Sequence, residues 1–120
     1  MTAFDDATAV TAAGAGSFTA VGDPRWSAPN GPNGGYLAAI VLRAMTAELD
    51  DPSRPARSIT LHYLRAPKPA EFRIDVAVER SGRTLSTLTA RLSQGDALCV
   101  IATAAFAGAF PPSPAHFAAA

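Results

Sequence analysis

"GPNGGYLAAIVLRAM", residues 31–45, is the stretch of this chain that decides its fold. Asn33 is a favoured residue type for a helix N-cap, so we predict a helix whose first turn begins with the glycine pair. Over residues 36–42 this helix is apolar on every side, and such a helix is typically buried. The prolines of "DDPSRP", residues 50–55, prevent it from continuing.

On either side of this helix, apolar and polar residues alternate with the period of two that is typical of β-strands. The predicted strands cover residues 17–21, 58–65, 71–80, 84–93 and 97–107. The last of them is almost continuously apolar, which indicates burial on both faces. Residues 1–15 are rich in Ala and Thr, and we expect part of them to be frayed.

The order of these elements predicts the fold class. One short strand, one buried helix and four consecutive antiparallel strands leave a sheet face that only the apolar helix can cover. We therefore predict an α+β fold in which a curved antiparallel β-sheet wraps around one long buried helix, which is the hotdog architecture.

The composition argues against several kinds of site and partner. The formal net charge is zero and no Lys/Arg run exists, so neither nucleic acid nor an anionic membrane surface is expected as a partner. The single cysteine, Cys99, excludes an internal disulfide and lies in an apolar run, as expected of a buried thiol. His62 and His116 lack the spacing of metal ligands. With no secretory signal and no apolar run long enough to span a bilayer, we expect a cytoplasmic protein.

Three segments carry a resemblance to a known family: "PNGGYLAAIVLRAM", "SITLHYLRAPKP" and "VERSGRTLSTLTARLSQGDALCVIATAAFA". In this order and spacing they resemble the N-terminal half of the TesB-like acyl-CoA thioesterases, which carry two hotdog units on one chain. The resemblance implies hydrolysis of fatty acyl-CoA thioesters to free acid and CoA, without a metal or organic cofactor. Residues 1–107 would form the hotdog domain, and the proline-rich residues 108–120 a tail or an interdomain linker.

The resemblance also implies catalytic residues. The usual group in the family is an Asp, a Thr or Ser, and a Gln that together orient a water, and it is best known from the second unit. By position, Gln94 corresponds to the Gln, and Ser58 or Thr60 corresponds to the hydroxyl. Residues 34–47 contain no carboxylate to serve as the Asp, which argues against catalysis by this unit alone. Asn33 stands where related single-unit thioesterases carry a His, and an amide can polarise a carbonyl but cannot act as a base.

The start of the helix is the predicted substrate site. The first N–H groups of a helix have no internal partner, so those of Gly35 or Tyr36 would stabilise the oxyanion that forms when water attacks a thioester. Gly34 and Gly35 would let the substrate approach the backbone, or would only allow close packing of helix on sheet. Trp26 and Tyr36 would line the mouth of the site, or simply belong to the core.

Arginine suits phosphate geometry, so Arg65, Arg80 and Arg83 are candidates for contact with the CoA phosphates, and Arg83 is assigned to the substrate. The alternative is that all three are solvated turn residues. His62 shares a strand face with Thr60, and a polar surface or a subunit interface accounts for it without chemistry.

Two functions remain open from the sequence. The first is an acyl-CoA thioesterase, and the second is a non-catalytic unit that binds acyl-CoA or forms the structural half of a double-hotdog assembly. In both cases the exposed edge of a single sheet predicts a partner, which would be either a second copy in a C2 homodimer or a second hotdog unit.

Overall fold

The computed structural model describes residues 2–28 and 31–109. The elements run in the order α1 (Ala3–Ala7), β1 (Thr11–Gly14), β2 (Ser17–Val21), a 3₁₀ turn (Pro24–Trp26), β3 (Ser27–Ala28), β4 (Gly31–Pro32), α2 (Gly34–Leu49), β5 (Ala56–Tyr63), β6 (Glu71–Ser81), β7 (Leu85–Gln94) and β8 (Ala97–Ala107). The predicted helix and all five predicted strands are present, with boundaries that shift by two residues at most. The predicted tail, including His116, lies outside the described residues from position 110 onward.

Six strands form one antiparallel sheet in the order β1-β2-β6-β7-β8-β5, and α2 packs on one of its faces. This arrangement confirms the α+β hotdog fold. Strand β5 does not pair with β6, which follows it in the sequence, but with β8, so that Thr60 lies opposite Thr103. The chain after β5 must therefore pass across the sheet before β6 begins. Among the described strands, β1 and β5 are the two edges of the sheet.

Helix α2 buries one face and not its whole circumference. The buried residues follow helical spacing and are Tyr36, Leu37, Ile40, Val41, Ala44 and Met45. Ala38, Ala39 and Leu42 on the opposite side are only half-buried, so the prediction of all-round burial is wrong for the single chain. A single sheet can cover only one side of a helix. The helix ends where Asp50 adopts a left-handed conformation with φ of 49°, two residues before Pro52.

The face of the sheet toward α2 forms the core with the helix. Its buried residues are Phe18, Ala20, Phe72, Ile74, Val76, Leu88, Ala90, Leu92, Val100, Ala102, Ala104 and Phe106. Each large aliphatic or aromatic side chain among them contributes about 1.5–3 kcal/mol through removal from water. The opposite face of β8 carries Ile101, Thr103 and Ala105, which are half-buried or exposed. The prediction that β8 is buried on both faces is therefore wrong for one chain, because only α2 covers the sheet.

The N-terminal segment is ordered rather than frayed. Thr2 and Asp5 form a reciprocal capping box at the start of α1. The guanidinium of Arg43 on α2 donates to the Asp5 carbonyl at 2.8 Å and to Thr8 Oγ1 at 2.9 Å. These contacts attach α1 to the main helix, and the chain then continues into the edge strand β1.

Arg54, on the loop between α2 and β5, holds the turn between β6 and β7. Its guanidinium donates to the carbonyls of Gly82 and Arg83, both at 2.7 Å, and to the buried Ser86 Oγ at 2.8 Å. The proline-rich segment after α2 is thereby attached to the turn between β6 and β7. None of the described helices is long and apolar enough to cross a membrane.

Candidate functional site

A groove of about 340 Å³ opens beside the first turn of α2. It is lined by Gly34, Leu37, Tyr63, Leu64, Arg65 and Ala66. Tyr63 and Leu64 are 53% and 54% exposed, which is unusual for such apolar side chains next to a core. The groove thus combines apolar walls, one cationic side chain and the backbone of a helix N-terminus.

Two side chains hold the peptide that joins Gly34 to Gly35. Asn33 Oδ1 accepts a hydrogen bond from the Gly35 N–H at 2.8 Å, and the Tyr63 hydroxyl donates to the Gly34 carbonyl at 2.7 Å. The Gly35 N–H is therefore occupied and does not match its predicted role toward a thioester. Within the described residues, the N–H groups of Gly34 and Tyr36 have no acceptor.

Asn33 is the N-cap that the sequence predicts, and capping uses its side-chain oxygen, Oδ1. The residue has extended backbone angles, φ −60° and ψ 138°, before the helix begins. The side-chain oxygen of Asn33 is engaged by the helix, and its predicted catalytic role stays a prediction. A Cβ at Gly34 would lie 3.4 Å from the Tyr63 ring, which is ordinary van der Waals contact.

Tyr36 and Trp26 lie in the packing between α2 and the N-terminal segment, and not in the groove. The Tyr36 hydroxyl donates to the Ala7 carbonyl at 2.7 Å and accepts from the Asp23 N–H at 2.9 Å. The Trp26 ring stacks on Tyr36 at 6.3 Å and meets the edge of Phe4 at 5.0 Å. Both side chains pack with the core, which is the alternative that the sequence left open, and neither is among the residues that line this groove.

The side-chain amide of Gln94 is hydrogen-bonded to the loop that follows β5. Its Oε1 accepts from the Lys68 N–H at 2.8 Å, and its Nε2 donates to the Lys68 carbonyl at 2.8 Å and to the Glu71 carbonyl at 3.4 Å. Both ends of the amide are thus satisfied by backbone. In this chain Gln94 fixes the conformation of the loop that carries Arg65, and it has no remaining donor directed at a water.

Ser58 and Thr60 lie on the face of β5 that points away from α2. Thr60 is in register with the exposed Thr103, whereas the neighbouring Leu61 is in register with the buried Ala102. Because strand side chains alternate between faces, these two hydroxyls and His62 lie on the opposite face from Tyr63 and the groove. One chain therefore does not bring Gln94 together with either predicted hydroxyl.

Of the three candidate arginines, only Arg65 lines the groove. Arg83 is in the turn between β6 and β7, where its carbonyl accepts from Arg54. That turn lies beside the first residue of β5, while Tyr63 is the last, and seven strand residues span about 23 Å. Arg83 and Arg80 therefore lie away from this groove, and their assignment to the substrate stays a prediction.

The sequence matches the acyl-CoA thioesterase N-terminal domain family over residues 22–107. The chain belongs to this family. No curated protein matches it at a significant level.

Solved structures support the thioesterase fold. A candidate thioesterase II from Thermobifida fusca YX is 29% identical, with a TM-score of 0.84 over 94% of this chain and 42% of that chain. The tesB protein of Mycobacterium avium subspecies paratuberculosis is 22% identical, with a TM-score of 0.79 over 92% of this chain and 44% of its own. A candidate thioesterase from Ralstonia eutropha JMP134, related to phenylacetic acid degradation, is 28% identical, with a TM-score of 0.68 over 82% of this chain and 83% of that chain.

These comparisons place the thioesterase unit in two kinds of chain. It spans less than half of the first two relatives and most of the third. The groove of this unit has no carboxylate in its lining. Among the described residues, no three His, Cys, Asp or Glu side chains come close enough to hold a metal ion.

Tyr63 and Leu64 are the groove residues that the sequence analysis missed as site candidates. The segment "SITLHYLRAPKP" contains both, but the alternation of apolar and polar residues in it indicates only that Tyr63 shares a strand face with Leu61. What places them in the groove is visible only in the structure. The N–H groups of Leu64 and Arg65 both donate to the Cys99 carbonyl, at 2.8 and 3.3 Å, and the chain turns there beside the start of α2. Cys99 itself is buried, and burial raises the pKa of its thiol.

Proposed function

We propose that this chain is the acyl-CoA-binding N-terminal unit of an acyl-CoA thioesterase, and that hydrolysis requires a second hotdog unit. The observation that carries the proposal is the groove at the start of α2, with an apolar wall, Arg65 and the Gly34 backbone, in a chain of this family. The thioester carbonyl would accept from the Tyr36 N–H, where the helix dipole favours negative charge. The acyl chain would lie against Leu37 and Leu64.

The reaction then needs a water that one chain does not hold in place. Water would attack the thioester carbon, the carbonyl oxygen would become the oxyanion at the helix start, and the CoA thiol would leave with a proton. Gln94 is engaged by the Lys68 backbone, and Thr60 is on the other face of the sheet. We therefore assign the residues that orient the water to the second unit, which agrees with the absence of a carboxylate from residues 34–47.

The second unit would be a second copy of this chain or a following domain. Strand β5 offers an edge of eight residues without a further strand beside it in the described structure, and such an edge is a template for strand pairing. Pairing of two β5 strands would form a C2 dimer with one continuous sheet. Such pairing extends the sheet at its edge and leaves the far face of β8 uncovered.

We place this activity in fatty acid metabolism and in the cytoplasm. Acyl-CoA is the substrate that the family implies.

A non-catalytic role is the second candidate, and the engagement of Gln94 favours it for the chain alone. In that case the unit would bind acyl-CoA without turnover. One assay separates the two functions: the release of free thiol from a panel of acyl-CoA thioesters by the purified chain. The solution mass of the chain is measured in parallel. Turnover by a dimer supports a thioesterase that two copies complete. Binding without turnover supports the non-catalytic unit.

Binding itself is tested by the rise in melting temperature with acyl-CoA and by substitution of Arg65. Arg65→Gln should weaken acyl-CoA binding about tenfold, since a charged hydrogen bond to phosphate contributes about 1.5–3 kcal/mol. Arg91→Gln is the matched control, because Arg91 is exposed in register with Ile101 on the far face of the sheet. An equal effect of both substitutions, or no binding by the unsubstituted chain, would contradict the proposed site.

A further inference from the structure

We propose that Tyr63 is a positioning residue that fixes the orientation of the carbonyl-binding turn of α2. The inference rests on the proposed function and adds a residue that neither the family resemblance nor the sequence pattern assigns. Its basis is the Gly34–Gly35 peptide group. The Asn33 side chain holds the N–H of this group at 2.8 Å, and the Tyr63 hydroxyl holds its carbonyl at 2.7 Å.

A glycine pair needs such support because it has the largest conformational freedom of any dipeptide. The N–H that we assign to the substrate belongs to the next peptide group, which joins Gly35 to Tyr36. Gly35 has helical backbone angles in α2, so a side chain at each end of the first plane also restricts the direction of the Tyr36 N–H in the second. Preorganised donors of this kind stabilise an oxyanion because no reorientation is needed when the charge develops.

The hydroxyl of Tyr63, and not merely its ring, carries this role. The ring lies in van der Waals range of Gly34, as the 3.4 Å separation from a Cβ built there indicates. Half of the side chain is exposed in the groove, so its hydroxyl is not needed to satisfy a buried core. A structural tyrosine at this place could be phenylalanine without loss, whereas a positioning tyrosine could not.

Tyr63 also links the helix start to the edge of the sheet. It is the last residue of β5, in register with Val100 of β8. Strand β5 is the edge at which we propose that the second unit pairs. The same residue therefore connects the proposed interface to the carbonyl-binding turn, and assembly would restrain both ends of that connection.

The test compares two non-hydrolysable probes of equal chain length. One is a 2-oxoalkyl-CoA thioether, which keeps a carbonyl near the sulfur, and the other is the S-alkyl-CoA thioether without a carbonyl. For the unsubstituted chain we expect tighter binding of the ketone. Tyr63→Phe should lower the affinity for the ketone by roughly five- to tenfold and leave the affinity for the S-alkyl probe unchanged.

The control is Thr103→Val, which removes a hydroxyl from the far face of the sheet and should move neither affinity. A second readout is the amide NMR spectrum, in which the Gly35 signal should shift in Tyr63→Phe while that of Gly95, in the turn between β7 and β8, stays in place. Equal loss for both probes, or no loss for either, would overturn the positioning role. Failure of the unsubstituted chain to bind either probe would overturn the proposed function, and the inference with it.

Discussion

At the scale of single residues, Gln94 is the position where a catalytic and a structural role can be separated. Gln94→Glu keeps the acceptor for the Lys68 N–H but replaces the donor with an oxygen that faces the Lys68 and Glu71 carbonyls. We expect the free energy of unfolding to fall by about 1–2 kcal/mol, because these carbonyls lose their partner and meet a carboxylate.

Urea unfolding measures this change, with Thr103→Val as the control on the far face of the sheet. Unchanged stability together with lost turnover in the assembled enzyme would show that Gln94 acts on the reaction instead of on the loop.

The buried Tyr36 hydroxyl and Cys99 thiol make the free energy of unfolding depend on pH in the alkaline range. Burial raises the pKa of its hydroxyl above the usual value of about 10, and burial likewise raises the pKa of the Cys99 thiol above its ordinary value. A folded pKa above the unfolded one means that the stability contribution is complete below the unfolded pKa and is lost as pH rises through the folded one.

We therefore expect the free energy of unfolding to decline above about pH 8.5 to 9, first through Cys99 and then through Tyr36. Urea unfolding between pH 7 and 11 tests this order. Cys99→Ala should remove the first part of the decline, and Tyr36→Phe in that background should flatten the part above pH 10. An unaltered slope in the double variant would contradict the assignment to Tyr36.

The residue scale is also where the sequence was least informative. Asn33 can be recognised as an N-cap because the cap and the helix are adjacent in sequence. The partners of the Tyr36 hydroxyl lie on α1 and on the loop after β2, and those of Gln94 lie 26 residues away. Nothing local in the sequence reveals which backbone groups a polar residue beside a glycine turn will meet.

At the scale of elements, the first turn of α2 combines helix stability with ligand binding, and substitutions at Asn33 can separate the two. Asn33→Ala should destabilise the fold by about 1 kcal/mol, because the Gly35 N–H loses its acceptor. Asn33→Asp keeps the acceptor and adds a negative charge at the positive end of the helix, so stability should rise by about 0.3–1 kcal/mol.

The same Asn33→Asp change should weaken acyl-CoA binding several-fold, because a fixed negative charge beside the turn disfavours both the thioester oxygen and the phosphates. Thermal melting and calorimetric titration on the same samples measure both effects. Stability and affinity that rise together would show that the turn of α2 is not the ligand site.

Element prediction succeeded where hydrophobic periodicity was strong and failed where it was absent. Strands β6 and β7 alternate clearly, and their predicted and observed bounds differ by one residue. Helix α1 and strand β1 consist largely of Ala, Thr, Asp and Gly; α1 is held by the capping box, by Arg43 and by the Phe4–Trp26 contact, and β1 by its pairing with β2. The pairing of β5 with β8 could not be predicted from either strand, because it depends on the path of the chain around α2.

At the scale of the whole molecule, the predictions that fail for one chain share a physical origin. The outer side of α2 and the second face of β8 are apolar enough to indicate full burial, yet Leu42, Ile101 and Ala105 are only half-buried. One chain has a single layer of cover, and we propose that this apolar surface is buried against a second unit. The excess apolar surface therefore supports the proposal of a second hotdog unit.

The last prediction tests that second unit through the edge strand β5. Thr60 lies at the middle of Ala56–Tyr63, so in a C2 pairing centred on the strand each Thr60 would lie close to its counterpart. Thr60→Lys would then place like charges opposite each other across the new pair, and like charges in that position destabilise strand pairing. The isolated chain should sediment as a dimer, and Thr60→Lys should shift it toward monomer.

Thr103→Lys is the matched control, since Thr103 is the register partner of Thr60 on β8 and lies about 4.8 Å further from the edge. It adds the same charge to the same face but leaves the strand edge itself unaltered, so the dimer should persist. If both variants dissociate equally, the copies meet through the face of the sheet and not through its edge. If dimer formation is lost only in Thr60→Lys, the edge of β5 is where two units pair, because the control adds the same charge to the same face of the sheet.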